Sequence, residues 1–182
     1  DVYRRTLEVA KDEVKGRVPL IAAVMEPSTA RAVERLRMVE ELGYEYAAVS
    51  APFFFSPRSD AELLAHFSAC ERAVSTRLIA YNLPQYTRCK MSVDALLTMY
   101  ARGWIDGVKE SSGDGAFFKN LCQRADEAGL PVFQGNRAVF VDLAELKAAG
   151  TVPVPANVDP EVYVNAWNAR HGDSDKLAQL QT

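Results

Sequence analysis

Short continuous apolar runs alternate with longer amphipathic stretches along the whole chain. The runs are Val18–Val24, Tyr46–Ser50, Arg77–Tyr81, Trp104–Lys109, Pro131–Gln134 and Thr151–Pro155. Each is too short for a helix and too continuous for a strand with one wet face, which is how buried parallel strands read. The stretches between them predict helices over 2–16, 28–42, 60–75, 92–102, 116–128, 137–149 and 159–170. Ser28, Asp60 and Ser92, and Pro160 after Asp159, supply helix starts. Gly43, Gly103, Gly129 and Gly150 stand where helices should close ahead of the next strand.

Strands beginning roughly 20–30 residues apart have the pitch of a β/α repeat. No Ser/Gly-rich linker or shift of composition divides the chain, so residues 1–182 read as a single domain. A doubly wound open sheet accommodates six strands, but no strand-to-helix junction carries its Gly-rich dinucleotide fingerprint. An eight-stranded barrel needs about 250 residues, and this chain falls two strands short of one. Spacing alone favours the barrel by a narrow margin.

Charge narrows the function. The 21 Lys and Arg and 24 Asp and Glu give a net charge of −3 and are spread along the chain. A nucleic-acid surface or a polybasic membrane surface needs clustered positive charge, so neither partner is expected. No apolar run approaches the roughly 18 residues of a membrane span, and the opening DVYRRTLEVAKDEVK reads as an amphipathic helix rather than a signal peptide. Three cysteines without CxxC spacing and two histidines without HExxH argue against a disulfide scaffold and a zinc site. No metal is expected, and a reducing cytoplasm is the default.

In either architecture chemistry gathers at the C-terminal ends of the strands. Lys109 closes an apolar strand, so its stem should lie inside the fold. Burial disfavours the charged form of an ammonium, and a neutral amine can attack a ketone to give an iminium that draws electrons from the neighbouring bond. The ordinary alternative is a lysine that snorkels to the rim or pairs with Glu110 or Asp114. Tyr81 ends the preceding strand. If the two strands are neighbours they lie about 4.8 Å apart, and the phenol can shuttle protons in the same cavity. A rim tyrosine with a packed ring and a wet hydroxyl is the alternative.

Other residues carry weaker signals. Ser111, Ser112 and Gly113 precede a helix and either offer donors to a carboxylate or phosphate or simply cap that helix. Phe53, Phe54 and Phe55 follow a strand and either floor a pocket or pack among themselves. His66 reads as structural. Cys70, Cys89 and Cys122 lack an adjacent histidine or cationic cluster, so none is expected to be a nucleophile. No G-x-S-x-G elbow is present, which disfavours a serine hydrolase.

Three segments carry a family resemblance: Gly16-Arg17-Val18-Pro19-Leu20-Ile21-Ala22, Tyr81-Asn82-Leu83-Pro84, and Gly107-Val108-Lys109-Glu110-Ser111-Ser112-Gly113-Asp114. Together they resemble the dihydrodipicolinate synthase/N-acetylneuraminate lyase family, supported by Gly135 and by Pro153–Val158, over nearly the whole chain. The resemblance implies an α/β fold, the (β/α)8 TIM barrel of the class I aldolase type. This chain would cover its third through eighth strands, without the Gly-Thr-Thr-Gly-Glu-type loop and the usual C-terminal helices. Such a chain is either a fragment or an excised partial barrel, and its chemistry belongs to the full-length protein.

By the same resemblance Lys109 matches the Schiff-base lysine and Tyr81 the tyrosine that orients substrate and relays protons. Gly135 and Val152 match backbone positions lining a pyruvate pocket. Apart from the resemblance, Ser111 and Ser112 are expected to line the substrate pocket. Two positions depart from the synthases. Phe54 stands where a second relay tyrosine is found, and Tyr86 stands where an arginine holds the incoming carboxylate, with Arg88 two residues further on. A phenol cannot replace the paired donors of a guanidinium. The expected function is therefore a Schiff-base lyase, aldolase or dehydratase acting on pyruvate or a sugar-derived 2-oxo acid. It needs no metal or organic cofactor and works in a homo-oligomer, a dimer or a tetramer. The alternatives are a dihydrodipicolinate synthase condensing pyruvate with aspartate semialdehyde, and a non-catalytic partial barrel that binds a small oxo acid.

Overall fold

The computed structural model describes residues 1–136 and 145–171 of the 182. Six strands form one parallel sheet in chain order: β1 (Ile21–Val24), β2 (Tyr46–Ser50), β3 (Arg77–Asn82), β4 (Gly107–Glu110), β5 (Val132–Gln134) and β6 (Gly150–Thr151). The described helices are α1 (Val2–Val14), α2 (Thr29–Glu41), α3 (Asp60–Glu71), α4 (Pro84–Thr87), α5 (Val93–Ala101), α6 (Gly115–Ala128) and α7 (Pro160–Ala169). Six parallel strands in sequential order, with helices in the connections from β1 through β5, form a partial barrel wall. The predicted helix over 137–149 falls mostly outside the described residues.

Alternate strand residues build the core. Ala22, Val24, Ala47, Val49, Leu78, Ala80, Val108 and Val132 join Leu36, Val39, Leu63, Phe67, Leu96, Met99 and Leu121 of the helices in one buried cluster. The intervening residues share the other face and line up in rungs. Ala23, Ala48, Ile79 and Gly107 form one, and Ser50, Tyr81, Lys109, Phe133 and Gly150 form the next. β1 departs from the expected continuous burial, because its Ile21 and Ala23 are exposed on that second face.

Local chemistry sets the element ends. Ser28, Ser92 and Asp159 each accept a hydrogen bond from a backbone N–H in the first turn of the following helix. For α3 the cap is Ser59, one residue before the expected Asp60, and it accepts from Glu62 N. Gly43, Gly103 and Gly129 take the left-handed conformation as expected. Gly150 does not; it opens β6, and Lys147 adopts the positive φ instead. The reason at Gly150 is space, since a Cβ there would lie 2.8 Å from the Phe133 ring. β6 stops at Thr151 rather than Pro155, because Pro153 and Pro155 have no N–H for a ladder, and Val154–Asn157 coils into a 3-10 turn. The short α4 lies in a stretch with no helical period; Pro84 starts it and Arg88 closes it with φ +54°.

Candidate active site

β3 and β4 are hydrogen-bonded neighbours, and Tyr81 pairs directly with Lys109 in their register. Both side chains therefore leave the sheet on the same face at the C-terminal ends of the strands. Lys109 Nζ lies 4.3 Å from the centroid of the Tyr81 ring. A cation over an aromatic face is attracted by the ring quadrupole, which holds the amine beside the phenol rather than out in water. The two carboxylates considered as partners for Lys109 are engaged elsewhere. Asp114 caps α6 and pairs with Lys90 at 2.8 Å, while Glu110 bonds Asn82 and the Ser112 N–H. The Lys90 contact, with the Phe117 N–H adding to it, holds the Asp114 carboxyl below the usual carboxylate range.

Backbone bonds beyond the strands bring the next residues in. Ser111 N donates to Asn82 O at 2.8 Å, and Gly135 N donates to Glu110 O at 2.7 Å. Gln85 Nε2 donates to Ser111 O at 2.9 Å. Ser111 is thereby buried, and among the described residues its hydroxyl oxygen is the one buried side-chain polar atom with no hydrogen-bond partner. A Cβ on Gly135 would collide with that oxygen and come within 3.0 Å of Lys109 Cε. Glycine here makes room, and the room borders both the amine and an unsatisfied hydroxyl. A buried polar atom without a partner costs about 1–3 kcal/mol, a cost that an oxygen or donor of a bound ligand would offset.

The other expected site residues stand apart. Val152 follows β6, and its N–H is engaged by Gln134 O at 2.8 Å, which leaves its carbonyl as the remaining backbone group. Phe54 is 84% exposed at φ +74° and meets Phe55 edge to face at 4.9 Å. Tyr86, on α4, is 72% exposed. Among the described residues neither has a ring contact or hydrogen bond with Lys109 or Tyr81. Ser112 does not turn towards this cluster; its Oγ accepts from Asp114 N in a local turn.

His66 is structural, as expected. Its Nδ1 meets Thr29 Oγ1 at 3.0 Å and its Nε2 meets Ser50 O at 3.2 Å, tying α3 to the start of α2 and the end of β2. Burial pushes its pKa down to about 4. One expectation needs correction: Cys70 does have an adjacent histidine, with Sγ 3.8 Å from His66 Nε2 one helical turn away. The pairing does not activate it, because burial pushes its thiol up to about 12. Cys122 is raised to about 12 by the same cause, and Cys89 is raised as well. Among the described residues no group of three or more His, Cys, Asp and Glu is placed to hold a metal ion, and no helix is long and apolar enough to cross a membrane.

Asn82 and Glu110 are residues whose role the motifs did not disclose. Each directly follows a site residue, and both are almost fully buried on the helix-facing side of the sheet. Two polar residues at the ends of adjacent apolar strands were the available signal.

Comparison with known proteins gives the family of the chain. The chain is 32% identical over 182 residues to 4-hydroxy-tetrahydrodipicolinate synthase of Methylobacterium radiotolerans, covering 98% of this chain and 60% of that one. It is 29% identical over 180 residues to the enzyme of the same name from Methanopyrus kandleri, covering 98% and 59%. The chain thus spans about three-fifths of the length of the curated relatives it matches. Among solved structures, the dihydrodipicolinate synthase of Acinetobacter baumannii complexed with pyruvate superposes with a TM-score of 0.90 at 25% identity, covering 98% of this chain and 61% of that one. The synthase of Aquifex aeolicus gives 0.88 at 25%, with the same coverage. The sequence pattern of the dihydrodipicolinate synthetase family matches residues 2–182, and the chain belongs to that family.

Proposed function

We propose that Lys109 and Tyr81 are the catalytic pair of a class I, Schiff-base lyase or aldolase acting on pyruvate or a sugar-derived 2-oxo acid. In this reading the unprotonated Lys109 amine attacks the ketone carbon, an N–C bond forms, and the carbinolamine loses its oxygen as water to leave an iminium. The bond between the carbon next to the iminium and the hydroxyl-bearing carbon beyond it then breaks; its electron pair forms an enamine, the hydroxyl proton passes to Tyr81, and an aldehyde leaves. Protonation of the enamine carbon restores the iminium, and water hydrolyses it to release pyruvate and the free lysine. Tyr81 moves protons to and from the substrate, and the Ser111 hydroxyl meets a substrate oxygen in the space Gly135 leaves open. Lysine supplies the electron sink, so the chemistry calls for neither a metal nor an organic cofactor.

The observation that carries this is the register pairing of Tyr81 with Lys109, with the amine 4.3 Å from the ring centroid. Family membership and the pyruvate complex of the Acinetobacter baumannii synthase support the 2-oxo acid. The relatives' names favour a synthase, whereas Phe54 stands where the synthases resembled have a second relay tyrosine and Tyr86 where they have the arginine that holds the incoming carboxylate, and the lyase reading follows from that. We place the six strands as the third through eighth of a closed (β/α)8 barrel, with residues 1–182 in one domain. The complete protein is read as a cytoplasmic homo-oligomer with small-molecule partners only.

Borohydride trapping tests the reading. A pyruvate-sized adduct mapped to Lys109 is expected in the complete protein, and its absence overturns the Schiff base. If the adduct forms, coupled assays with aspartate semialdehyde and with sugar-derived 2-oxo acids separate synthase from lyase. No adduct, with small oxo acids still bound, leaves the non-catalytic partial barrel.

A further inference from the structure

We infer that Asn82 and Glu110 form a buried clamp that positions Tyr81 and Lys109, on the side of the sheet away from the chemistry. The inference rests on the Schiff-base reading above. Asn82 and Glu110 are 0% and 1% exposed and pair in the β3–β4 register one step beyond Tyr81 and Lys109. Asn82 Nδ2 donates to Glu110 Oε2 at 2.5 Å, and Asn82 Oδ1 accepts from Met91 N at 3.1 Å. Glu110 Oε1 accepts from Ser112 N at 2.5 Å. One pair of side chains therefore fastens two strand ends to each other and to the loops that leave them. It also fixes the segment that carries Ser111, whose N–H is held by Asn82 O.

Burying a carboxylate is costly unless its oxygens are satisfied, and apolar side chains at these positions would pack without that cost. What the polar pair supplies is direction. Met91 N fixes which atom of the Asn82 amide is oxygen, so the amide must present a donor to β4. Ser112 N fixes one Glu110 oxygen, so the other must accept from Asn82. This polarity holds Asn82 opposite Glu110, in the register that sets the amine beside the phenol. Misplacing reacting groups by about 1 Å can cost about a hundredfold in rate.

The polarity provides a test. Glu110→Gln faces a donor with a donor, Asn82→Asp faces a buried carboxylate with a carboxylate, and the double variant N82D/E110Q restores the bond between the two side chains with donor and acceptor exchanged, while Met91 N and Ser112 N still donate to an oxygen. The measurement is the rate of borohydride-trapped pyruvate adduct formation at saturating pyruvate, per folded molecule, in the complete protein. Each single variant should slow trapping about a hundredfold, and the double variant should return to within about tenfold of the parent. A merely structural pair would lower the melting temperature of the single variants and leave the rate per folded molecule unchanged. If Glu110→Gln does not fold, Asn82→Ser, which removes the amide alone, is read in its place. Parent-like trapping in both single variants, or a double variant as slow as they are, overturns the clamp while the Schiff base stands. No adduct on the parent protein overturns both.

Discussion

Gly135 approaches Ser111 so closely that a single methyl group on its Cα would overlap the Ser111 hydroxyl and press on the stem of Lys109. The contact joins the end of β5 to the end of β4, and Gly135 N–H to Glu110 O holds it in place. Gly135→Ala should therefore act on the site before it acts on the fold. Overpacking of this kind costs about 1–3 kcal/mol, so the variant should still fold, with a modestly lower melting temperature. Its pyruvate trapping on Lys109 should fall by at least about tenfold, because the space lost lies beside the amine. Unchanged trapping would remove Gly135 from the pocket.

Ser111→Ala separates stability from function. Removing a buried hydroxyl that bonds nothing relieves a desolvation penalty, so the folded protein should be as stable as the parent or more so, by up to about 1 kcal/mol. If the hydroxyl meets a substrate oxygen, the same variant should bind pyruvate about tenfold more weakly, one hydrogen bond's worth. Thermal melts with and without pyruvate read both effects. Loss of stability together with unchanged pyruvate binding would contradict the assignment.

Lys109→Arg keeps a cation over the Tyr81 ring but offers no amine that adds to a ketone. The variant should melt close to the parent and form no borohydride-stable adduct. Tyr81→Phe does the converse: it keeps the ring under the ammonium and deletes the proton shuttle. Its adduct should still form, while turnover falls about 10²–10⁴-fold, the usual range for loss of a general acid–base group. Turnover by Tyr81→Phe within a few-fold of the parent would assign the proton transfer to another group.

His66 makes stability depend on pH. Burial lowers its folded-state value to about 4, from 6.5 when unfolded, so between those limits the unfolded chain binds the extra proton. Stability should be intact above pH 6.5 and should decline as pH falls to about 4, by roughly 3 kcal/mol from this group alone. Equilibrium unfolding at several pH values measures the slope. His66→Gln, which never binds the proton, should flatten it over that window, and an unchanged slope would assign the decline to other groups.

Much of the fold is legible along the chain because it depends on neighbours in sequence. Period and run length separate six strands from the helices between them, and Ser28, Ser92 and Asp159 cap where their side chains can reach the next turn. At Gly150 the local reading fails because of a remote contact: the residue resembles a helix terminator, but its lack of a side chain serves the Phe133 ring across the β5–β6 pair. Cys70 is the opposite case, since His66 lies four residues before it on the same predicted helix and the i,i+4 spacing already brings the two together.

The site divides in the same way. Lys109 and Tyr81 are visible as polar residues closing apolar strands, because a polar group at such a place must be explained by what it does. That they stand side by side is a fact of sheet register, and register depends on two strands at once. The unsatisfied Ser111 hydroxyl, the space at Gly135 and the polarity of Asn82 towards Glu110 are likewise relations between segments. A sequence specifies which groups are present and which local turns they favour. Only tertiary packing decides which donor meets which acceptor and where room is left for a ligand, because those outcomes are set by distances between residues that are not neighbours in the chain.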